Sequence, residues 1–187
     1  MKRSSHMSID EMMIPYYGKH GDKQFIRGKP IRFGFKAWSL CSSDGYSQHI
    51  EPYCGASTML ETFGMGQGPD VVAGLCKAGG VIPGTRVFFD NLFTSMNLLN
   101  YLSDRGIGGT GTVRQNRVFG MPNPDQKQFS KKERGDSVSF FAQDVAIVTW
   151  LDNKAVTVAS NVHGHQATGL VKRYSKVRVF KQYKLAL

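Results

Sequence analysis

This sequence predicts an α/β fold with a mixed β-sheet and flanking helices, and three patterns carry that prediction. The β-type apolar run Val87-Phe88-Phe89 ends in Asp90 and is followed by Thr94-Ser95 and a leucine-rich stretch. That is the strand-then-helix order by which α/β proteins present an acid at a ligand crevice. A second acid-tipped β-type segment, Ser8 to Ile14 with Asp10 and Glu11, lies near the start of the chain. Between the two, aromatic-rich segments flank Ser42-Ser43-Asp44-Gly45, whose Asp-Gly pair is a hairpin signal.

Taken in order, residues 8–17 read as a strand reaching a turn at Gly18, and the basic stretch 19–32 reads as a loop. Residues 33–41 and 46–54 are the two arms of the hairpin, giving three antiparallel strands. Gly64, Gly66 and Gly68 mark a loop, after which Pro69-Asp70 starts a helix through Val71, Val72, Leu75 and Cys76 that stops at Gly79-Gly80. Thr85 to Asp90 is a largely buried strand. Thr94 or Ser95 caps the next helix, which carries Met96, Leu98, Leu99, Leu102 and Arg105 and ends at Gly106. A short strand spans 107–113.

After Arg114 the composition changes. Residues 116–135 are polar, contain Pro122 and Pro124, and read as a loop. Strands are expected at 138–142, 146–151 and 155–160, with Asp152-Asn153-Lys154 turning between the last two.

The chain has 187 residues with 41% apolar content, enough to bury a core of its own as one domain. Its net charge of +10, from 24 Lys and Arg against 14 Asp and Glu, favours a polyanionic partner. Cys41, Cys54 and Cys76 form no C-x-x-C pair and fit reduced thiols in an intracellular compartment. The start of the chain lacks the apolar core of a signal peptide, and no apolar run approaches membrane-spanning length, so no membrane partner is expected.

The chemistry rests on Asp10 and Asp90. Two carboxylates brought together at strand ends would hold Mg²⁺ or Mn²⁺, hard ions that take oxygen ligands and serve phosphoryl transfer. The bland alternative for Asp90 is a turn or cap residue. Glu11 adjoins Asp10 but must point to the opposite face of its strand, where it is expected to be exposed. Asp152 sits in a hairpin turn and is not expected to be catalytic. His163-Gly164-His165 lacks a nearby acid or cysteine and reads as surface. Gly66-Gln67-Gly68 lacks the Gly-Lys-Ser or Gly-Lys-Thr ending of a phosphate-binding loop. Among the basic residues, Arg114, Arg117, Lys29, Arg32 and Lys36 are the candidates for DNA phosphate contacts.

A set of fragments in fixed order carries a family resemblance. These are Ile9 to Gly18, Lys29-Pro30-Ile31-Arg32-Phe33-Gly34-Phe35-Lys36-Ala37-Trp38, Gly66-Gln67-Gly68-Pro69-Asp70-Val71-Val72, Phe88 to Ser95, and Gly109 to Arg117. From Ser8 to about Ser175 the chain resembles the transposase domain of piggyBac elements and their domesticated derivatives. That resemblance implies a ribonuclease H-like fold, which the strand and helix order above matches independently. It also implies a partial core over 8–114, a β-rich insertion over 115–175 and a C-terminal tail over 176–187.

By motif match Asp10 is the first catalytic acid and metal ligand and Asp90 the second, in a two-metal site. In such a site one ion activates a water or a DNA 3′-hydroxyl and the other stabilises the leaving oxygen. The resemblance further implies transposon ends and TTAA targets as substrate, a homodimer in the full-length protein, and the nucleus as the place of action. The family's third aspartate lies in a Gly-Gly-Val-Asp stretch that this sequence does not contain, along with the last catalytic helix. The chain therefore reads as a truncated transposase core that does not complete the reaction alone. The alternative is a domesticated or decayed derivative that binds DNA without cutting it.

Overall fold

A computed structural model of the chain describes residues 4–114, 129 and 131–162 in full, together with the backbone of two later strands. The elements are β1 (His6–Pro15), β2 (Lys23–Phe25), β3 (Phe33–Ser42), β4 (Ser47–Pro52), α1 (Gln67–Ala78), β5 (Arg86–Phe89), α2 (Met96–Ser103) and β6 (Gly108–Thr112). They continue with β7 (Ser137–Ala142), β8 (Val145–Leu151), β9 (Ala155–Ser160), β10 (Thr168–Arg173) and β11 (Lys181–Ala186). Among the described residues no helix is long and apolar enough to cross a membrane.

One mixed sheet holds β1 to β9, in the order β2-β3-β1-β5-β6-β9-β8-β7 with β4 also on β3. β1, β5 and β6 run parallel to one another at the centre, whereas β3 is antiparallel to β1 and β4 antiparallel to β3. The expected hairpin is present, turned at Gly45 with positive φ. Three features were not expected. The basic stretch 19–32 contains β2, whose three residues pair with Phe33 to Phe35. β7, β8 and β9 extend the same sheet, because β9 pairs antiparallel with β6 through Thr110↔Ser160. Residues 181–186, read as tail, form β11 and pair with β10 in a separate two-stranded sheet.

Alternation along each strand gives the sheet two unlike faces. On one, Met7, Ile9, Leu40, Val87 and Phe89 meet α1 and α2 through Val72, Leu75, Leu98, Leu99 and Leu102, all buried. Each such side chain fully removed from water contributes about 1.5–3 kcal/mol, which makes this layer the main source of stability. Cys76 lies in it, and burial pushes its thiol up to about 12.

The helix ends are set locally. Ser95 caps α2 by accepting a hydrogen bond from the Leu98 amide at 3.1 Å. α1 begins at Gln67, slightly before the expected Pro69-Asp70 start, and Asp70 Oδ1 accepts the Met65 amide at 3.0 Å. At the far end of α2, Asn161 ties three elements together. Its Nδ2 donates to the carbonyls of Leu99 and Ile107 at 3.1 Å each, and its Oδ1 accepts the Gly109 amide at 2.6 Å.

α2 sits close on β6 because β6 is nearly bare. A Cβ on Gly109 would lie 2.8 Å from Leu102 Cδ1 and 2.9 Å from Leu99 Cδ2, and one on Gly111 would overlap Thr94 Oγ1 and the Phe89 ring. Gly111→Ala is therefore expected to lower the unfolding free energy by about 1–3 kcal/mol, the ordinary cost of overpacking. Urea denaturation against wild type measures it, and an unchanged midpoint would show that Thr94 and the Phe89 ring do not press on β6 this tightly.

Candidate functional site

The site begins with the pairing of β1 to β5. The two run parallel with Met7 opposite Val87 and Ile9 opposite Phe89. Ile9 and Phe89 are buried under the helices, so the residues that follow them, Asp10 and Asp90, lie on neighbouring strands facing away from the helices and are both exposed; Asp90 follows the end of β5, but Asp10 sits within β1 and not at its tip as expected. Adjacent strands are about 4.8 Å apart. The sequence separates these carboxylates by the whole hairpin and α1; the sheet returns them to neighbouring positions.

Each acid is held through one oxygen. Asp10 Oδ1 accepts the Glu11 amide at 2.7 Å, and Asp90 Oδ1 accepts the Leu92 amide at 2.8 Å, a turn in which the side chain closes its own loop. The Asp90 carbonyl in turn accepts the Thr94 hydroxyl at 2.8 Å and the amides of Phe93 and Thr94. Phe93 and Thr94 are buried, which anchors the loop below its exposed tip. Gly68, in the first turn of α1, lies against the Leu92 carbonyl so closely that a Cβ there would overlap it. The Gly66-Gln67-Gly68 segment thus supports the Asp90 loop from the side, a role its sequence did not disclose. A cleft of about 690 Å³ lies between the starts of α1 and α2, lined by Gly66, Pro69, Thr94 and Ser95 among others.

The basic candidates divide by location. Arg114 follows β6, is exposed, and its Nε donates to Asn91 Oδ1 at 3.1 Å, which sets a guanidinium beside the Asp90 loop. Arg32 is exposed just before β3. Lys29 and Lys36 are not brought to the acids. Both lie 3.1 Å from carboxylate oxygens of Glu11, and the Lys36 ammonium also sits 5.4 Å from the Trp38 ring and 5.5 Å from that of Tyr53. Glu11 therefore corrects the expectation of an exposed residue: its side chain is 19% exposed and held by two lysines on the helix side of the sheet. The adjacency of Glu11 and Asp10 hid this, because the lysines approach from a different part of the chain.

Asp152 is bonded by Arg134, whose Nε donates to Oδ1 at 2.7 Å, in keeping with a structural turn. Arg117, His163 and His165 lie outside the described residues. Among the described residues no group of three or more His, Cys, Asp or Glu side chains is gathered to hold a metal.

Burial opposes ionisation of Glu11, but the hydrogen bonds and charges of Lys29 and Lys36 outweigh it and hold its carboxyl below the ordinary value of 4.5. A depressed folded-state value means a contribution that is complete above 4.5 and lost as pH falls through the lower folded value. Glu11→Gln is expected to lower stability by about 1 kcal/mol at neutral pH, after discounting for solvent screening. In urea melts the gap to wild type is expected to close as the buffer is taken below pH 4.5. A gap that persists in acid would assign the loss to packing and not to the ion pairs.

Comparison with known proteins agrees with this layout. The family model described as Transposase IS4 matches residues 1–185. Human piggyBac transposable element-derived protein 3 is 40% identical over 175 residues, covering 92% of this chain and 30% of that protein. Human piggyBac transposable element-derived protein 2 is 34% identical over 173 residues, covering 90% of this chain and 29% of that protein. Thus the chain spans about a third of the length of these relatives. A solved piggyBac transposase synaptic complex with hairpin DNA superposes with a TM-score of 0.72 at 26% identity, over 86% of this chain and 34% of that one. The chain belongs to the Transposase IS4 family and, within it, to the piggyBac group of transposases and transposon-derived proteins.

Proposed function

We propose that this chain is part of a metal-dependent DNA strand-transfer core, in which Asp10 and Asp90 are two of the acidic ligands and DNA lies over the sheet face opposite the helices. The observation that carries this reading is the parallel register that ends in Ile9↔Phe89 and releases both acids together. The strand order β4-β3-β1-β5-β6, antiparallel then parallel, supports a ribonuclease H-like assignment for residues 8–114. On this reading residues 115–175 form the β-rich insertion, and the tail over 176–187 carries β11 back onto the insertion's strand β10.

The residues fit a hard divalent cation. Asp10 and Asp90 each use one oxygen for a backbone amide, and no described residue takes Oδ2 of either. Bound Mg²⁺ or Mn²⁺ would supply charge neutralisation at a transferring phosphate. The chain's own part is positional. The Asp90 turn and its Thr94 anchor fix one carboxylate, β1 fixes the other, and Arg114, oriented by Asn91, offers donors to a phosphate alongside.

Arg32 and Arg117 extend phosphate contact on this reading. Lys29 and Lys36 contribute less than their charge implies, because Glu11 faces both. The relatives' names and the DNA in the matched complex support the substrate class. By the same family reading the whole protein acts as a homodimer in the nucleus, on transposon ends at TTAA targets.

Calorimetric titration of the chain with Mn²⁺ and Mg²⁺ tests the site. Asn is the variant to use, because an Asn side chain still accepts the Leu92 amide at position 90 and keeps the loop. Binding by wild type, weakened about tenfold or more in both Asp10→Asn and Asp90→Asn, is the expected outcome. A folded wild-type chain that binds neither ion would overturn the metal site and leave the noncatalytic DNA-binding reading.

A further inference from the structure

The strand that delivers Asp10 continues past it into a projecting arm. Asp10 lies opposite Ser39, and the pairing then runs through Met12↔Ala37 and Ile14↔Phe35 to Pro15↔Gly34, where β2 takes over with Phe25 opposite Phe33. Because alternate residues share a face, Phe33, Phe35, Ala37 and Ser39 form a row on the same side as Asp10. From Ser39 to Phe33 that row spans about 20 Å.

The end of the arm is aromatic and open. Tyr17 is 84% exposed, Phe25 57% and Phe33 46%. The Phe25 and Phe33 rings lie 4.8 Å apart, and Phe35 packs against Tyr16 at 4.8 Å and His20 at 5.2 Å. The arm is held rigid from within. Lys23 Nζ donates to the Gly18 carbonyl at 3.0 Å and stands 5.4 Å from the Phe33 ring. Gly34, with φ of 155°, lets β3 pass so close to β1 that a Cβ would overlap the Ile14 carbonyl.

Exposed rings of this size in one patch mark a binding surface. Its charge selects the occupant. Between Tyr16 and Phe33 the sequence holds Lys19, Lys23, Arg27 and Arg32 against Asp22 as its one carboxylate, with Lys29 already paired to Glu11. Interleaved rings and cations suit a strand whose bases are unpaired, since the rings take base faces and the cations take phosphates, whereas bases inside a duplex are already stacked.

We propose that the arm built from Tyr17, Phe25 and Phe33 is a stacking platform for unpaired nucleotides of the DNA that reaches Asp10 and Asp90. This rests on the DNA reading of the acid-bearing face and adds to it a preference for locally melted DNA.

The test is fluorescence anisotropy with the full chain, a labelled oligo-dT strand and a duplex of equal length. The variants are Phe25→Leu/Phe33→Leu, which keeps apolar bulk, and Phe25→Tyr/Phe33→Tyr, which keeps the rings, each checked by thermal melt. The leucine pair is expected to weaken single-strand binding about tenfold or more, with duplex binding changed less than about twofold and the tyrosine pair close to wild type. Equal weakening on both DNAs, or no weakening on the single strand, overturns the platform. Wild-type binding to duplex but not to oligo-dT also overturns it, while leaving the DNA reading standing. Binding to neither overturns both.

Discussion

The parallel pairing of β1 with β5 is the constraint on which the rest depends. Burial of Ile9 and Phe89 fixes which residues face the helices, and the register then leaves no choice about Asp10 and Asp90. A slip of one residue would put a carboxylate under α1 and α2 and expose an isoleucine, an exchange that the hydrophobic layer forbids. Stability and site geometry are therefore set by the same few side chains. The helix layer holds the sheet from one side so that its other side can stay open.

The two neighbours Asp10 and Glu11 illustrate that division. One faces outward and ties only a backbone amide. The other faces the helix side and gathers Lys29 and Lys36 from the segment that follows β1. Counting basic residues overstates the positive charge available to a polyanion, because Lys29 and Lys36 are already opposed by Glu11. The arm carrying Phe25 and Phe33 is different: its exposed rings stand among cations with few acids nearby.

What the sequence disclosed follows from how local each signal is. The β-type segment beginning at Ser8, the Asp-Gly turn, the Ser95 cap and the leucines of α2 act within a few residues, and each stands close to where it was expected. β2 escaped notice because three residues, Lys23 to Phe25, are too short to show a period. Glu11 escaped because its partners come from elsewhere in the chain. Gly109 and Gly111 fall in an expected strand, but only the fold shows that α2 leucines lie against the first and Thr94 and the Phe89 ring against the second, and Gly68 looks like a turn until Leu92 is seen against it. The continuity of the sheet from β6 into β9 is a pairing across some fifty positions, as the Thr110 to Ser160 hydroxyl bond records, and no periodicity encodes it.

Asn161 gives this last pairing a kinetic side. The carbonyls of Leu99 and Ile107 and the amide of Gly109 all wait for one side chain supplied much later in the chain. During synthesis β6 therefore emerges with an unpaired edge, and the seat of α2 stays unfinished until residue 161 has left the ribosome. Closing so long a loop is entropically slow, and an open edge strand is a place for other chains to pair. The acids can thus be side by side, and the Asp90 turn formed, in a nascent chain whose sheet is still incomplete.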